Sequence, residues 1–185
     1  MPRLLLGGLA LTASTLLASC GSASSTGEDP VAAVELPEPF CSAVPAGVVE
    51  RWSLTAADEP PVEGDDARRT ATCVMSGRSS QGEPATLEIA MTTYGGDSRE
   101  EVLDTVAEEL AQRCDALEGR GATDGDRENR CGASAEDGTS VTEVSRSLAS
   151  LGVVTVTMST TGDATTALAA EVAGLSGTFA NGELD

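Results

Sequence analysis

The chain has 185 residues, enough for one domain of ordinary size, and its charge is strongly one-sided. Thirty aspartate and glutamate residues stand against eleven arginines, with no lysine and no histidine, and the formal net charge is −19. Binding to nucleic acid depends on basic groups that neutralise phosphates, so this balance argues against a nucleic-acid partner. It argues equally against attachment to anionic lipid through a basic patch.

The amino-terminal segment is typical of an export signal. A short basic start is followed by an apolar stretch over residues 4–17, which is too short to span a bilayer. The stretch ends in Leu17-Ala18-Ser19-Cys20, which resembles the lipobox of bacterial lipoproteins. In that family the cysteine receives a diacylglyceryl group and becomes the first residue after cleavage. An ordinary signal peptide with an incidental cysteine is the alternative.

This interpretation predicts three regions in the chain. Residues 1–19 would be a lipoprotein signal peptide, with lipid attached at Cys20. Residues 20–39 contain mostly Ser, Thr, Gly, Pro and acidic residues, which favours a flexible tether. Residues 40–185 would form a single domain. The expected location is the extracytoplasmic face of the cell membrane, where two acyl chains hold a protein stably.

In the first half of the domain we expect one helix and two strands. Pro45 suits the first turn of the helix, and a stretch rich in Pro, Gly and acidic residues after it favours a loop. Leu87, Ile89 and Met91 alternate with more polar residues, which predicts a half-buried strand. The expected order is a helix over 42–54, a loop over 56–69, a strand over 70–76 and a strand over 85–94.

The central helix has the clearest sequence pattern. Ser98 and Glu101 match a capping box. An apolar stripe follows, which indicates one buried face. The stripe consists of Val102, Val106, Leu110 and Cys114, widened by Leu103 and Leu117.

After this helix the pattern predicts a loop, three strands and a last helix. Gly138 and Gly152 mark the turns between the strands, and Asp163 caps the helix. The strands are expected over 130–135, 140–148 and 153–160. The apolar face of the last helix is Ala164, Leu168, Val172, Leu175 and Phe179. The order α-β-β-α-β-β-β-α with short turns predicts an α+β fold, an antiparallel sheet of about five strands packed with three helices.

Four cysteines remain in the domain besides Cys20: Cys41, Cys73, Cys114 and Cys131. An exported chain lies in an oxidising compartment, so an even set favours disulfides, and four cysteines allow three pairings. We prefer the sequential pairing, Cys41–Cys73 and Cys114–Cys131, whose second bridge would close the loop after the central helix. No CxxC spacing and no histidine are present, which argues against a zinc site or a catalytic thiol.

The domain resembles a family of small actinobacterial envelope lipoproteins of unknown function. The resemblance covers about residues 40–180 and depends on Cys41-Ser42 before Pro45, on Cys73 in the first strand, and on Cys114 and Cys131 around a Gly/Asp loop. It departs at Met75, where the family often has an aromatic residue. The resemblance implies layers like those of PsbP or of mycobacterial kinase-sensor domains, and an extracytoplasmic binding or sensing module.

Candidate chemistry is sparse in this sequence. Without histidine or lysine, neither a Ser-His nor a Ser-Lys hydrolase can be built. Asp124, Asp126 and Glu128 present closely spaced oxygens of the kind that calcium prefers, but the run departs from the EF-hand pattern, and a solvated turn is the alternative. No cofactor is predicted.

Two functions of different class remain open. The first is a non-catalytic sensor or binding module for an envelope protein or small molecule, anchored to the membrane through Cys20. The second is a hydrolase of an envelope substrate that uses two carboxylates, as glycosidases do. The hydrolase predicts two acidic side chains that face each other across a cleft.

Overall fold

The structure, a computed structural model, describes residues 29–79, 82–118, 130–136, 138–149, 151–161 and 165–181. The predicted α+β class is confirmed: three α-helices pack on an antiparallel sheet of seven strands that is not closed into a barrel. The elements in chain order are a 3-10 turn Phe40–Ala43, α1 Ala46–Arg51, β1 Thr55–Asp58, β2 Glu63–Gly64, β3 Arg68–Arg78, β4 Pro84–Tyr94, α2 Arg99–Glu118, β5 Arg130–Glu136, β6 Thr139–Leu148, β7 Gly152–Thr161 and α3 Thr165–Ala180.

The sheet has the strand order β1-β3-β4-β7-β6-β5, and β2 pairs with β3 beside this path. Every pairing is antiparallel. Ile89 lies in the centre, paired with Cys73 on one side and with Val156 on the other. All three side chains are fully buried. The alternation predicted for β4 is therefore confirmed, and its apolar face forms the middle of the core.

Each face of the sheet is covered by a different helix. One face, which contains Ile89, packs against α3 and the segment around the 3-10 turn. The opposite face packs against α2 around Val153 and Cys131. Because successive side chains of a strand point to opposite faces, the two clusters are separated by the sheet itself. The fold thus has three layers, with α2 and α3 on opposite sides.

One disulfide fastens each outer layer to the sheet. Cys41 of the 3-10 turn is bonded to Cys73 on the α3 side, and Cys114 of α2 is bonded to Cys131 of β5 on the other side. This is the sequential pairing, one of the three that four cysteines allow. The two bonds use four of the five cysteines in the chain.

The start of α2 follows the predicted capping box with one difference. The backbone N–H of Glu101 donates to Ser98 Oγ at 3.2 Å, so Ser98 is the N-cap residue. The Glu101 carboxylate accepts from the backbone N–H of Asp97 at 2.9 Å, one residue before the usual partner. The first interaction satisfies one of the N–H groups that the first helical turn leaves without partners, and the second ties the residue before the N-cap to the helix.

Three predictions about the bounds of helices, strands and turns were wrong. The helix expected over 42–54 is split, because Val44 precedes Pro45 and is held in an extended conformation. The loop expected over 56–69 contains β1 and β2, whose exposed residues have no alternating pattern and pair with the edge of β3. Gly152 is not a turn residue but begins β7.

Gly152 is required for a close approach instead. A Cβ atom there would lie 2.3 Å from the backbone oxygen of Thr92 on the neighbouring strand. The left-handed residue of the turn is Leu151, with φ 60°, and its side chain is buried beneath α2. The gain from burying Leu151 opposes the backbone cost of this conformation.

The predicted tether over 20–39 is shorter than expected at its carboxyl end. Val31 exchanges backbone hydrogen bonds with Gly96 at 2.9 and 2.8 Å, and the N–H of Ala33 donates to Asp66 O at 2.7 Å. Leu36 is only 8% exposed and belongs to the core on the α3 side. The folded domain therefore includes the chain from Val31 onward, since these apolar side chains are buried.

Candidate functional site

A groove of about 590 Å³ opens at one end of the sheet, where β5 begins and β6 ends. One wall comes from the first half of α2 and the other from the end of α3. The carbonyl of Ala180 accepts the backbone N–H of Ala149 at 3.3 Å, which holds the end of α3 beside the end of β6. A volume of this size lies in the usual range of small-molecule sites.

Two arginines lie side by side in this groove. Arg130 and Arg146 occupy directly opposite positions of β5 and β6, and both are half-buried. Arg146 also packs on α3, with Nη1 3.4 Å from the position that a Cβ of Gly177 would take. Like charges in directly opposite positions destabilise a sheet. This pair therefore has a cost that no acidic side chain among the described residues offsets.

The other arginines of the described part of the chain include several with acidic partners. Arg51 pairs with Glu171, and Arg113 pairs with Glu109 at 2.8 Å. By contrast, neither guanidinium of the Arg130–Arg146 pair has an ion pair or hydrogen bond with the residues described. The carboxyl-terminal end of α3 carries a partial negative charge, which stabilises the positive charge of Arg146. It does not explain how the charge of Arg130 is stabilised. The pair is a positive site in a chain of net charge −19.

The apolar part of the groove includes an exposed leucine. Leu103 was predicted to widen the buried stripe of α2, and this was wrong: its side chain is 47% exposed, whereas Val102 and Val106 are buried. Each residue advances about 100° around a helix, which turns Leu103 away from the sheet that Val102 contacts. Leu103 lines the groove together with Val106, Leu148, Ala149 and Ala180.

A separate polar network ties α2 to the sheet. Arg113 donates to Glu109 on its own helix and, through Nη1, to Thr155 Oγ1 at 2.5 Å. The hydroxyls of Thr155 and Ser145 lie 2.9 Å apart. Each of these polar groups therefore has a partner inside the network. Its role is to hold α2 on β6 and β7.

Tyr94 lies at the edge of this network, and its buried hydroxyl forms no hydrogen bond of ordinary geometry with the residues described. Burial and the negative charge of Glu109 raise the pKa of Tyr94 above its usual value, against a smaller effect of Arg68, which lies 6.0 Å from the ring centre. The folded state therefore binds the phenolic proton more tightly than the unfolded state does. We expect the free energy of unfolding to fall as pH rises above about 10, where the unfolded chain loses this proton first.

Replacement of Tyr94 by phenylalanine should remove this alkaline loss of stability without lowering stability at neutral pH, because the hydroxyl forms no hydrogen bond with the residues described that the variant would lose. Tyr94 is the only tyrosine in the chain, so ultraviolet absorbance of tyrosinate reports this residue alone. An ordinary pKa in the folded protein, or an unchanged alkaline profile in Tyr94→Phe, would contradict the expectation.

Two acidic residues of the described ranges are close neighbours on one face of the sheet. Glu88 and Glu143 lie on either side of Thr157, in neighbouring strands of the face that α2 partly covers. Side chains on one face of a sheet project in the same direction, so both carboxylates point away from the sheet on the same side, with Thr157 between them. They do not face each other across a cleft, and this pair gives the hydrolase no support.

A second hollow, of about 360 Å³, is lined by Glu38, Phe40, Glu59 and neighbouring prolines. Both carboxylates already accept backbone hydrogen bonds. Glu59 accepts from the N–H of Cys41, and Glu38 accepts from the N–H of Val62 at 3.2 Å. These contacts join the segment before α1 to the segment before β2. The two acids therefore have a structural role in closing this part of the fold.

Of the residues singled out by sequence, Cys20 and the cation candidates Asp124, Asp126 and Glu128 lie outside the described residues. Within the described ranges, no three Cys, Asp or Glu side chains are grouped so that they could hold a metal ion. Sequence reasoning missed the arginine groove. Leu103, an apolar residue beside the buried stripe of α2, was the one feature of the local sequence that could have indicated the groove. The pairing of Arg130 with Arg146 could not be predicted, because it depends on the register between β5 and β6.

The fold and groove together define an α+β domain with helices on both faces of an antiparallel sheet and one positively charged, partly apolar site. Comparison with protein-family models, with curated protein sequences and with solved structures found no match to this chain. None of the helices in the described ranges has the length and apolar character needed to cross a membrane.

Proposed function

We propose that this protein is a lipid-anchored module on the extracytoplasmic face of the cell membrane that binds an anionic envelope ligand without catalysing a reaction. The anchor rests on the lipobox-like sequence ending at Cys20. Two disulfides favour an oxidising compartment. Because they use the other four cysteines, the chain has no further cysteine with which Cys20 could pair.

The Arg130–Arg146 pair is the observation that carries the binding function. The planar guanidinium group presents its donors as a fork that matches a carboxylate or a phosphate. Two such groups in opposite strand positions repel one another until an anion lies between or against them. A bound anion would therefore remove a local repulsion as well as form charge-assisted hydrogen bonds.

The shape of the site favours a small molecule, or the anionic end of a larger one. The groove holds about 590 Å³, and both arginines line it beside apolar residues. A module of this kind would act as a sensor or accessory subunit of the envelope, with the ligand or a partner protein engaging the groove. No cofactor has a role in the proposal.

Inorganic phosphate provides the simplest test of the anionic specificity. At ten times its dissociation constant it should raise the melting temperature by roughly 3–5 °C, as expected for a ligand that binds only the folded state. Trp52, the only tryptophan, is 6% exposed and reports unfolding by fluorescence. The double variant Arg130→Gln/Arg146→Gln should lose the shift.

A charge-matched control separates binding from general screening of the acidic chain. Arg51 and Arg78 are exposed and lie outside the groove, so Arg51→Gln/Arg78→Gln changes the net charge by the same amount. This variant should keep the phosphate shift. Equal shifts in the two double variants would mean that phosphate acts by screening, and the proposed function would fail.

A further inference from the structure

We infer that the ligand of the groove is an anionic amphiphile, in which a phosphate or carboxylate headgroup is joined to a hydrocarbon chain. The inference rests on the proposed function, because it assigns a ligand class to the same groove. It adds that the hydrocarbon chain of the ligand contributes to the affinity by packing on the apolar residues Leu103, Val106 and Leu148 of the groove.

The headgroup would lie against Arg130 and Arg146. The guanidinium of Arg146 lies close to α3, with Nη1 3.4 Å from the position that a Cβ of Gly177 would take. Arg130 lies opposite on the neighbouring strand. This arrangement suits a group with several oxygen acceptors on one atom, since each arginine can donate to different oxygens.

The hydrocarbon would lie along the apolar side of the groove. Leu103 is one of two large apolar side chains exposed in the described part of the chain, the other being Val34. It lines the groove with Val106 and Leu148. An alkyl chain placed there would cover Leu103 and remove apolar surface from water, which stabilises the bound state in proportion to the area buried.

The groove also lies near the point where the chain enters from the proposed anchor. Val31 exchanges backbone hydrogen bonds with Gly96, which lies just before α2. Its side chain packs in the same apolar cluster as Val106. Val31 follows the proposed anchor at Cys20 by only eleven residues. The groove would then work close to the membrane surface, where amphiphiles are concentrated.

The overall charge indicates how such a ligand arrives. A net charge of −19 opposes docking of the whole domain on an anionic lipid surface. The local positive charge of the two arginines acts over a short distance only. We therefore expect the groove to take single amphiphile molecules rather than to hold the domain flat on the bilayer.

The test compares octyl phosphate, kept monomeric, with inorganic phosphate by calorimetric titration of the full chain carrying Cys20→Ser. Octyl phosphate should bind at least tenfold more tightly, because part of its chain is buried. Leu103→Asn should reduce this advantage to less than threefold. Val34→Asn is the matched control, since Val34 is 43% exposed and lies outside the groove, and it should leave the advantage unchanged.

Each outcome has a separate meaning. Equal affinity for the two phosphates, both lost in Arg130→Gln/Arg146→Gln, would overturn the amphiphile and leave the anion-binding function standing. Affinities that do not depend on the two arginines would overturn both the amphiphile and the anion-binding function.

A last experiment measures pelleting of the Cys20→Ser chain with vesicles of phosphatidylglycerol and phosphatidylcholine. Pelleting that octyl phosphate reverses would support an amphiphile taken from the bilayer, whereas binding of octyl phosphate without pelleting would support a free one.

Discussion

Replacement of Cys20 by serine is expected to move the protein from the membrane fraction to the soluble fraction almost completely. A thiol is required for attachment of the diacylglyceryl group, and serine does not provide one. Two acyl chains hold a protein stably at a membrane, whereas a single chain does so only reversibly and an unacylated acidic domain has no comparable attraction. The measurement is fractionation of cells expressing each form, with an acyl-chain probe to detect lipid on the protein.

Ser19→Ala is the matched control for this experiment, since it changes the neighbouring residue while keeping the small side chain that a lipobox has there. It should remain in the membrane fraction and carry the probe. The soluble Cys20→Ser protein should retain both disulfides and the buried environment of Trp52. A Cys20→Ser protein that stays with the membrane, or a wild-type Cys20 found in a disulfide, would contradict the anchor.

Removal of the Cys41–Cys73 bond by Cys41→Ala/Cys73→Ala should lower the free energy of unfolding by about 4 kcal/mol in the chain-entropy relation. The bond joins residues 32 apart, and without it the unfolded chain gains conformational freedom. Alanine is preferred to serine because both positions are buried, and a hydroxyl there would need a partner. Denaturant unfolding followed by Trp52 fluorescence measures the change.

The second disulfide provides the comparison. Cys114→Ala/Cys131→Ala opens a shorter loop, with a separation of 17 residues, and should cost about 3 kcal/mol by the same relation. Both variants should also show a steeper dependence on denaturant, since the unlinked unfolded chain exposes more surface. A larger loss for the second pair, or unchanged slopes in both, would mean that effects in the folded state dominate.

The main strands and the central helix could be predicted because their signals are local. In β4, Leu87, Ile89 and Met91 are at most 1% exposed, as their alternation with polar residues indicated. In α2, residues four apart share one face, and the buried side chains follow that spacing. The strands β1 and β2 could not be found this way, since they are short and exposed and exist through pairing with β3.

The amino-acid sequence by itself determined the apolar faces of the strands and helices, the acidic charge, the candidate anchor at Cys20 and an even set of four domain cysteines. These properties depend on residue type and on spacing within one element. Only the tertiary structure decided the strand order and the groove. Arg130 meets Arg146 through the register of β5 and β6, and the end of α3 reaches them because its apolar face packs across the sheet. Contacts between distant residues depend on that packing, which no local pattern specifies.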